Sequence, residues 1–105
     1  MKNEIRPTEY YDEWFANIKE ETVKDRIETR IKRAEDGNFG DVKSEGEGVY
    51  AMRFKKLGIR IYFCQYDKNV YLLLTGGDKN TAKEQSCDIA RAKEIKREAE
   101  GGGKW

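Results

Sequence analysis

The sequence predicts an α+β domain of order β-α-α-β-β-β-α: a small, mostly antiparallel twisted sheet, an N-terminal α-hairpin packed on one face, and a C-terminal helix. Three observations predict it. Residues 48–79, GVYAMRFKKLGIRIYFCQYDKNVYLLLTGGDK, show the two-residue alternation of strands, broken by turn signals at Leu57-Gly58 and Lys68-Asn69. Residues 8–35 carry apolar side chains at helical spacing in two consecutive segments. After Asn80 the pattern becomes helical again, with Ile89, Ala92 and Ile95 spaced for one buried face.

Taken in order, Lys2–Arg6 reads as a first strand stopped by Pro7, at or near the sheet edge. Thr8 is the expected N-cap of the first helix, with Glu9, Asp12 and Glu13 where the helix dipole favours negative charge. Tyr11, Trp14, Phe15 and Ile18 then make an apolar stripe. Thr22 with Asp25 gives a second capping signal, and Val23, Ile27, Ile31 and Ala34 continue down one face to a stop at Gly37-Asn38-Phe39-Gly40. Residues 36–48, DGNFGDVKSEGEG, have four glycines and no apolar periodicity, so they are expected to form a mobile loop at the sheet's edge. Val70–Thr75 is nearly all apolar and reads as a central strand. One domain is assigned to residues 1–100, with the Gly101–Trp105 run as a flexible tail.

Alternation also divides the strand faces. Tyr50, Met52 and Phe54 share one side with Ile59, Ile61 and Phe63; Arg53, Lys55, Arg60, Tyr62 and Tyr66 fall on the other. The first set is core. The second is expected to be an open basic and aromatic face, suited to gripping phosphate and stacking a base. Net charge is only +1, but residues 1–42 hold eight Lys/Arg against eleven Asp/Glu, while residues 43–79 hold seven against four. The sheet region is therefore basic and the N-terminal helical region acidic. Two cysteines and no histidine build neither a disulfide framework nor a familiar zinc site, so no metal or cofactor is expected. No stretch has membrane-spanning length and the first residues lack a signal-peptide apolar run, so a cytoplasmic location is expected.

Several spaced blocks carry a family resemblance: Gly37-Asn38-Phe39-Gly40-Asp41-Val42-Lys43, Gly46-Glu47-Gly48-Val49, Arg53, Gly58-Ile59-Arg60-Ile61-Tyr62-Phe63, and Leu73–Lys79 with its Gly-Gly-Asp-Lys end. In these the chain resembles the RelE/ParE superfamily of bacterial toxins, closest to its HigB-like "addiction module killer protein" branch. The segment Asn80–Cys87 is longer than the family norm, and the C-terminal tyrosine or histidines of some members have no counterpart after Tyr71. The resemblance implies a RelE-like fold and the toxin of a type II toxin–antitoxin pair. It implies metal-independent, ribosome-dependent cleavage of mRNA, and neutralisation by a helix-turn-helix antitoxin. The same fold also carries ParE-like inhibitors of DNA gyrase and inactive members that only bind an antitoxin.

RNA cleavage without metal needs the 2′-OH deprotonated, the added phosphate charge stabilised and the leaving oxygen protonated. Arg53 and Arg60 offer fixed bidentate charge, Lys79 follows the glycine pair, and Tyr62 is a candidate for proton donation or base stacking; these four form the candidate catalytic set. Lys43, Lys55 and Tyr66 are the candidate RNA contacts. The competing reading pairs Arg53 and Arg60 with acidic side chains on a solvated sheet face.

Overall fold

A computed structural model describes residues 2–78 and 81–102. The expected catalytic Lys79 and the end of the expected tail, residues 103–105, lie outside the described residues. The order is β1 (Glu4–Pro7), α1 (Glu9–Ala16), α2 (Glu21–Glu35), β2 (Val42–Gly46), β3 (Val49–Phe54), β4 (Ile59–Asp67), β5 (Val70–Asp78) and α3 (Ala82–Glu100). One five-stranded sheet runs β1-β5-β4-β3-β2, with β1 parallel to β5 and the remaining neighbours antiparallel.

Thr8 joins the first strand to the first helix. Its hydroxyl accepts from the Tyr11 N–H, and it lies 2.9 Å from the carbonyls of Leu73 and Leu74, either of which it can donate to. The start of α1 is thereby stitched to β5. The second capping expectation is corrected: α2 begins at Glu21, Lys24 N–H donates to Glu20 O, and Thr22 sits inside the first turn rather than before it.

The expected mobile loop is corrected in part, because its second half is β2. Val42, Lys43 and Ser44 pair with Met52, Ala51 and Tyr50, and a bulge at Glu45 precedes Gly46↔Val49. Gly46, Glu47 and Gly48 all have positive φ, which closes the β2–β3 turn. An edge strand held by its backbone ladder leaves no apolar alternation to detect.

The larger correction concerns the sheet faces. Both are core. Met52, Phe54, Ile59, Ile61, Phe63 and Leu73 pack with Tyr11 of α1 and Ile27 and Ala34 of α2. On the opposite face Val49, Ala51, Tyr62, Cys64, Leu72 and Leu74 pack with Ala92, Ile95 and Ala99 of α3. The expected open face is therefore the bed of α3. Small residues on the helix let it lie close, and it is tied down along its C-terminal half by Tyr10 OH donating to Glu98 and by Lys93 and Arg97 near Glu47. Of the two cysteines, Cys64 is buried and Cys87 is exposed.

Candidate nucleic-acid interface

The β3–β4 register sets Arg53 directly opposite Arg60, so both leave the same side of the sheet. Their environments differ. Arg53 is half-buried: its Nε and Nη2 donate to Asp41 Oδ1 at 3.1 and 2.6 Å, and Lys55 Nζ stands 3.6 Å from Asp41 Oδ2. Hydrogen bonds from Arg53, helped by the charge of Lys55, hold the Asp41 carboxyl below the usual carboxylate range. Asp41 is placed in turn by Arg30 of α2. The Arg30 guanidinium donates to the carbonyls of Arg53, Asp41 and Phe39, and lies 4.4 Å from the centre of the Phe54 ring. Gly40, at φ +72°, is what permits this approach, since a Cβ there would stand 3.0 Å from Arg30 Nε.

Arg60 and Tyr62 are not on an open face. Arg60 is 8% exposed, with Nη1 3.6 Å from Glu45 Oε2 on the bulge of β2. Its Nε and that Glu45 oxygen have no hydrogen-bond partner among the described residues. Tyr62 is 1% exposed, and burial, with the Asp88 charge second, pushes its phenol up to about 12. Lys43 is exposed at the rim, its Nζ 3.9 Å from Glu45 Oε1. The expectation that Tyr62 lies on an exposed face is thus overturned by the packing of α3. Tyr66 is exposed, but it sits at the far end of β4, six residues from Arg60 and so roughly 20 Å away at strand rise. Arg53 and Lys55 are brought together; Arg60, Tyr62 and Lys43 form a second, buried-to-rim group around Glu45; Tyr66 joins neither.

The glycine pair before Lys79 has a packing cause. A Cβ on Gly76 would stand 2.4 Å from the Trp14 indole, and one on Gly77 would stand 2.2 Å from an Asp88 carboxylate oxygen. Burial, then the charges of Asp78 and Glu84, raise the Asp88 carboxyl above its ordinary value.

A larger feature adjoins Arg53. A groove of about 560 Å³ runs between α2 and the β3–β4 hairpin, lined by Arg26, Arg30, Arg33, Arg53, Lys55 and Lys56 with Asp25 and Asp41. The three helix arginines are absent from the expected site. They sit in a segment whose net charge is negative, yet their i, i+4, i+7 spacing is a legible stripe on one face of α2. A segment's total charge does not say which face of its helix carries the cations.

These features define an α+β domain of RelE-like fold. Among solved structures, the isolated E. coli RelE toxin matches with a TM-score of 0.64 over 85% of this chain and 97% of that one, at 15% sequence identity. The chain belongs to the family of an uncharacterized Haemophilus influenzae protein, to which it is 37% identical over 99 residues, 93% of this chain and 97% of the relative. No family model matches.

Proposed function

We propose that this chain is the toxin of a type II toxin–antitoxin module, of the HigB-like kind, and that it cleaves mRNA on the translating ribosome. The observation that carries the reading is the Arg53–Asp41–Lys55 cluster at one end of a RelE-like sheet, opening onto a cationic groove. A guanidinium already held by Asp41 presents its remaining N–H groups in a fixed direction, as stabilising a pentacovalent phosphate requires. Lys55 adds charge beside it, with Lys43 at the rim of the β2 edge. Lys79 is assigned to the site from the sequence alone. Arg60 and Tyr62 act as positioning residues beneath it: buried near Glu45, they hold the β2 edge against β4 across β3 rather than touch RNA. The Tyr62 phenol is protonated at neutral pH, but burial keeps it from stacking a base or reaching a leaving oxygen. The partner in this reading is a helix-turn-helix antitoxin that masks the basic surface.

The test is cleavage of a defined mRNA on programmed ribosomes. Wild type is expected to cut within the A-site codon, and Arg53→Ala to slow it by about 10²–10³. Intact mRNA with wild type, or full activity in the variant, sinks the reading. Burial of Arg60 and Tyr62 favours one second reading, a ParE-like poison of DNA gyrase that binds protein and needs neither side chain exposed. Accumulated gyrase–DNA cleavage complexes with mRNA intact would establish that instead.

A further inference from the structure

We propose that the groove between α2 and the β3–β4 hairpin is a docking track for the sugar-phosphate backbone of single-stranded RNA, with Arg26, Arg33 and Lys56 as the contacting cations. It rests on the RNA-cleaving reading for the class of polyanion, and adds a second wall, on a helix, outside the cluster assigned to cleavage. Six cationic side chains face two acidic ones there, in a chain of net charge +1. The cleft therefore carries an excess of four positive side chains, six against two.

The six cations are not equivalent. Arg53 and Lys55 share Asp41, and Arg30 is committed to three backbone carbonyls. Arg26, Arg33 and Lys56 are exposed and make no ion pair among the described residues. Arg26 and Arg33 are two helical turns apart, roughly 10.5 Å along the axis, on the face turned to the groove. Lys56 stands on the opposite wall. Charges spaced along both sides of a cleft suit a flexible polyanion that runs through it.

The lining chooses among polyanions. A duplex is read by a helix or ribbon that protrudes into its groove, whereas here the arginine stripe forms the wall of a cleft. An amphipathic acidic helix docks by a row of apolar anchors into apolar pockets; among the described residues the apolar side chains lining the cleft are Phe54 and Leu57, and Arg30 lies over the Phe54 ring. A single strand needs neither. Binding through guanidinium and ammonium groups to phosphate carries no base readout, so the track is sequence-independent and salt-dependent.

The experiment measures binding of a short 2′-O-methyl RNA oligonucleotide against salt concentration. That RNA cannot be cleaved, so affinity is read apart from catalysis. The triple variant R26A/R33A/K56A is compared with the charge-matched R91A/K93A/R97A on α3, and melting curves establish that both fold. The groove variant is expected to bind about tenfold or more weakly, with a log–log salt slope smaller by about 2, at about 0.7 per lost phosphate contact. The α3 variant should stay within about twofold of wild type. Equal losses in both variants overturn the track, as does displacement of the RNA by polyglutamate as readily as by unlabelled RNA, which assigns the cleft to an acidic protein segment. Groove-dependent binding without ribosomal cleavage supports the track and removes the endoribonuclease. Cleavage by the groove variant at unchanged KM overturns the track alone.

Discussion

At the scale of single residues, the chemistry turns on what each polar group faces. Arg53 faces a carboxylate and the groove, so its charge is both fixed and available; Arg60, its cross-strand neighbour, faces Glu45 in a buried pair whose desolvation cost its attraction must offset. Tyr62 is the residue whose solution behaviour reports this burial most directly. Its phenol has an unfolded value of about 10 and a folded one of about 12, so between those pH values the unfolded chain has released the proton and the native chain has not. The contribution is complete below pH ~10 and is lost as pH rises through the folded value. The phenolate absorbance assigned to Tyr62, taken as wild type minus Tyr62→Phe, should appear only near pH ~12, with stability falling from about pH 10 upward in wild type and less in the variant. An ordinary titration near pH ~10 would mean that α3 does not cover this face.

At the scale of elements, α2 does two jobs with one arginine stripe. Arg30 holds the Phe39–Asp41 turn against the end of β3, while Arg26 and Arg33 line the cleft on either side of it. Burial lowers the Arg30 guanidinium's affinity for its proton, and its removal takes a donor from three carbonyls, of which Asp41 O keeps the Arg53 N–H. Arg30→Met, which keeps the stem over Phe54 but deletes the fork, should cost about 2 kcal/mol in denaturant unfolding. It should also loosen the Asp41–Arg53 pair, seen as faster amide exchange at Arg53, whose N–H donates to Asp41 O. Unchanged stability and exchange would show that the turn holds itself.

At the scale of the whole molecule, three layers meet on β5. Gly76 lies under the Trp14 indole of α1 on one side of the sheet, and the next residue, Gly77, lies under Asp88 of α3 on the other. The absence of two side chains lets both helical layers touch the strand backbone. Gly76→Ala must displace a half-buried indole packed against the core between α1 and the sheet, and is expected to destabilise by about 1–3 kcal/mol on thermal or chemical unfolding. A neutral result would mean that α1 stands off the sheet further than this packing requires.

The division between sequence and tertiary structure follows from the range of the forces involved. Strand alternation, the Thr8 cap, the hairpin turns at Gly58 and Asn69, and the Arg53–Arg60 juxtaposition are local or nearest-neighbour matters, and all are legible in the residues themselves. So is the order of elements, apart from β2. β2 was hidden because an edge strand is stabilised by main-chain pairing, to which the side chains of Val42–Gly46 contribute little pattern. The covering of the second sheet face was hidden for a different reason: Ala51, Tyr62 and Cys64 alternate correctly whether water or a helix lies above them. Only the docking of α3 buries Tyr62, only the bulge of β2 sets Glu45 against Arg60, and only the approach of α2 to the β3–β4 hairpin turns six dispersed cations into one cleft. Which side chains point the same way was determined by the sequence; which of them meet solvent, and which meet each other across elements, was decided by long-range packing that no local period encodes.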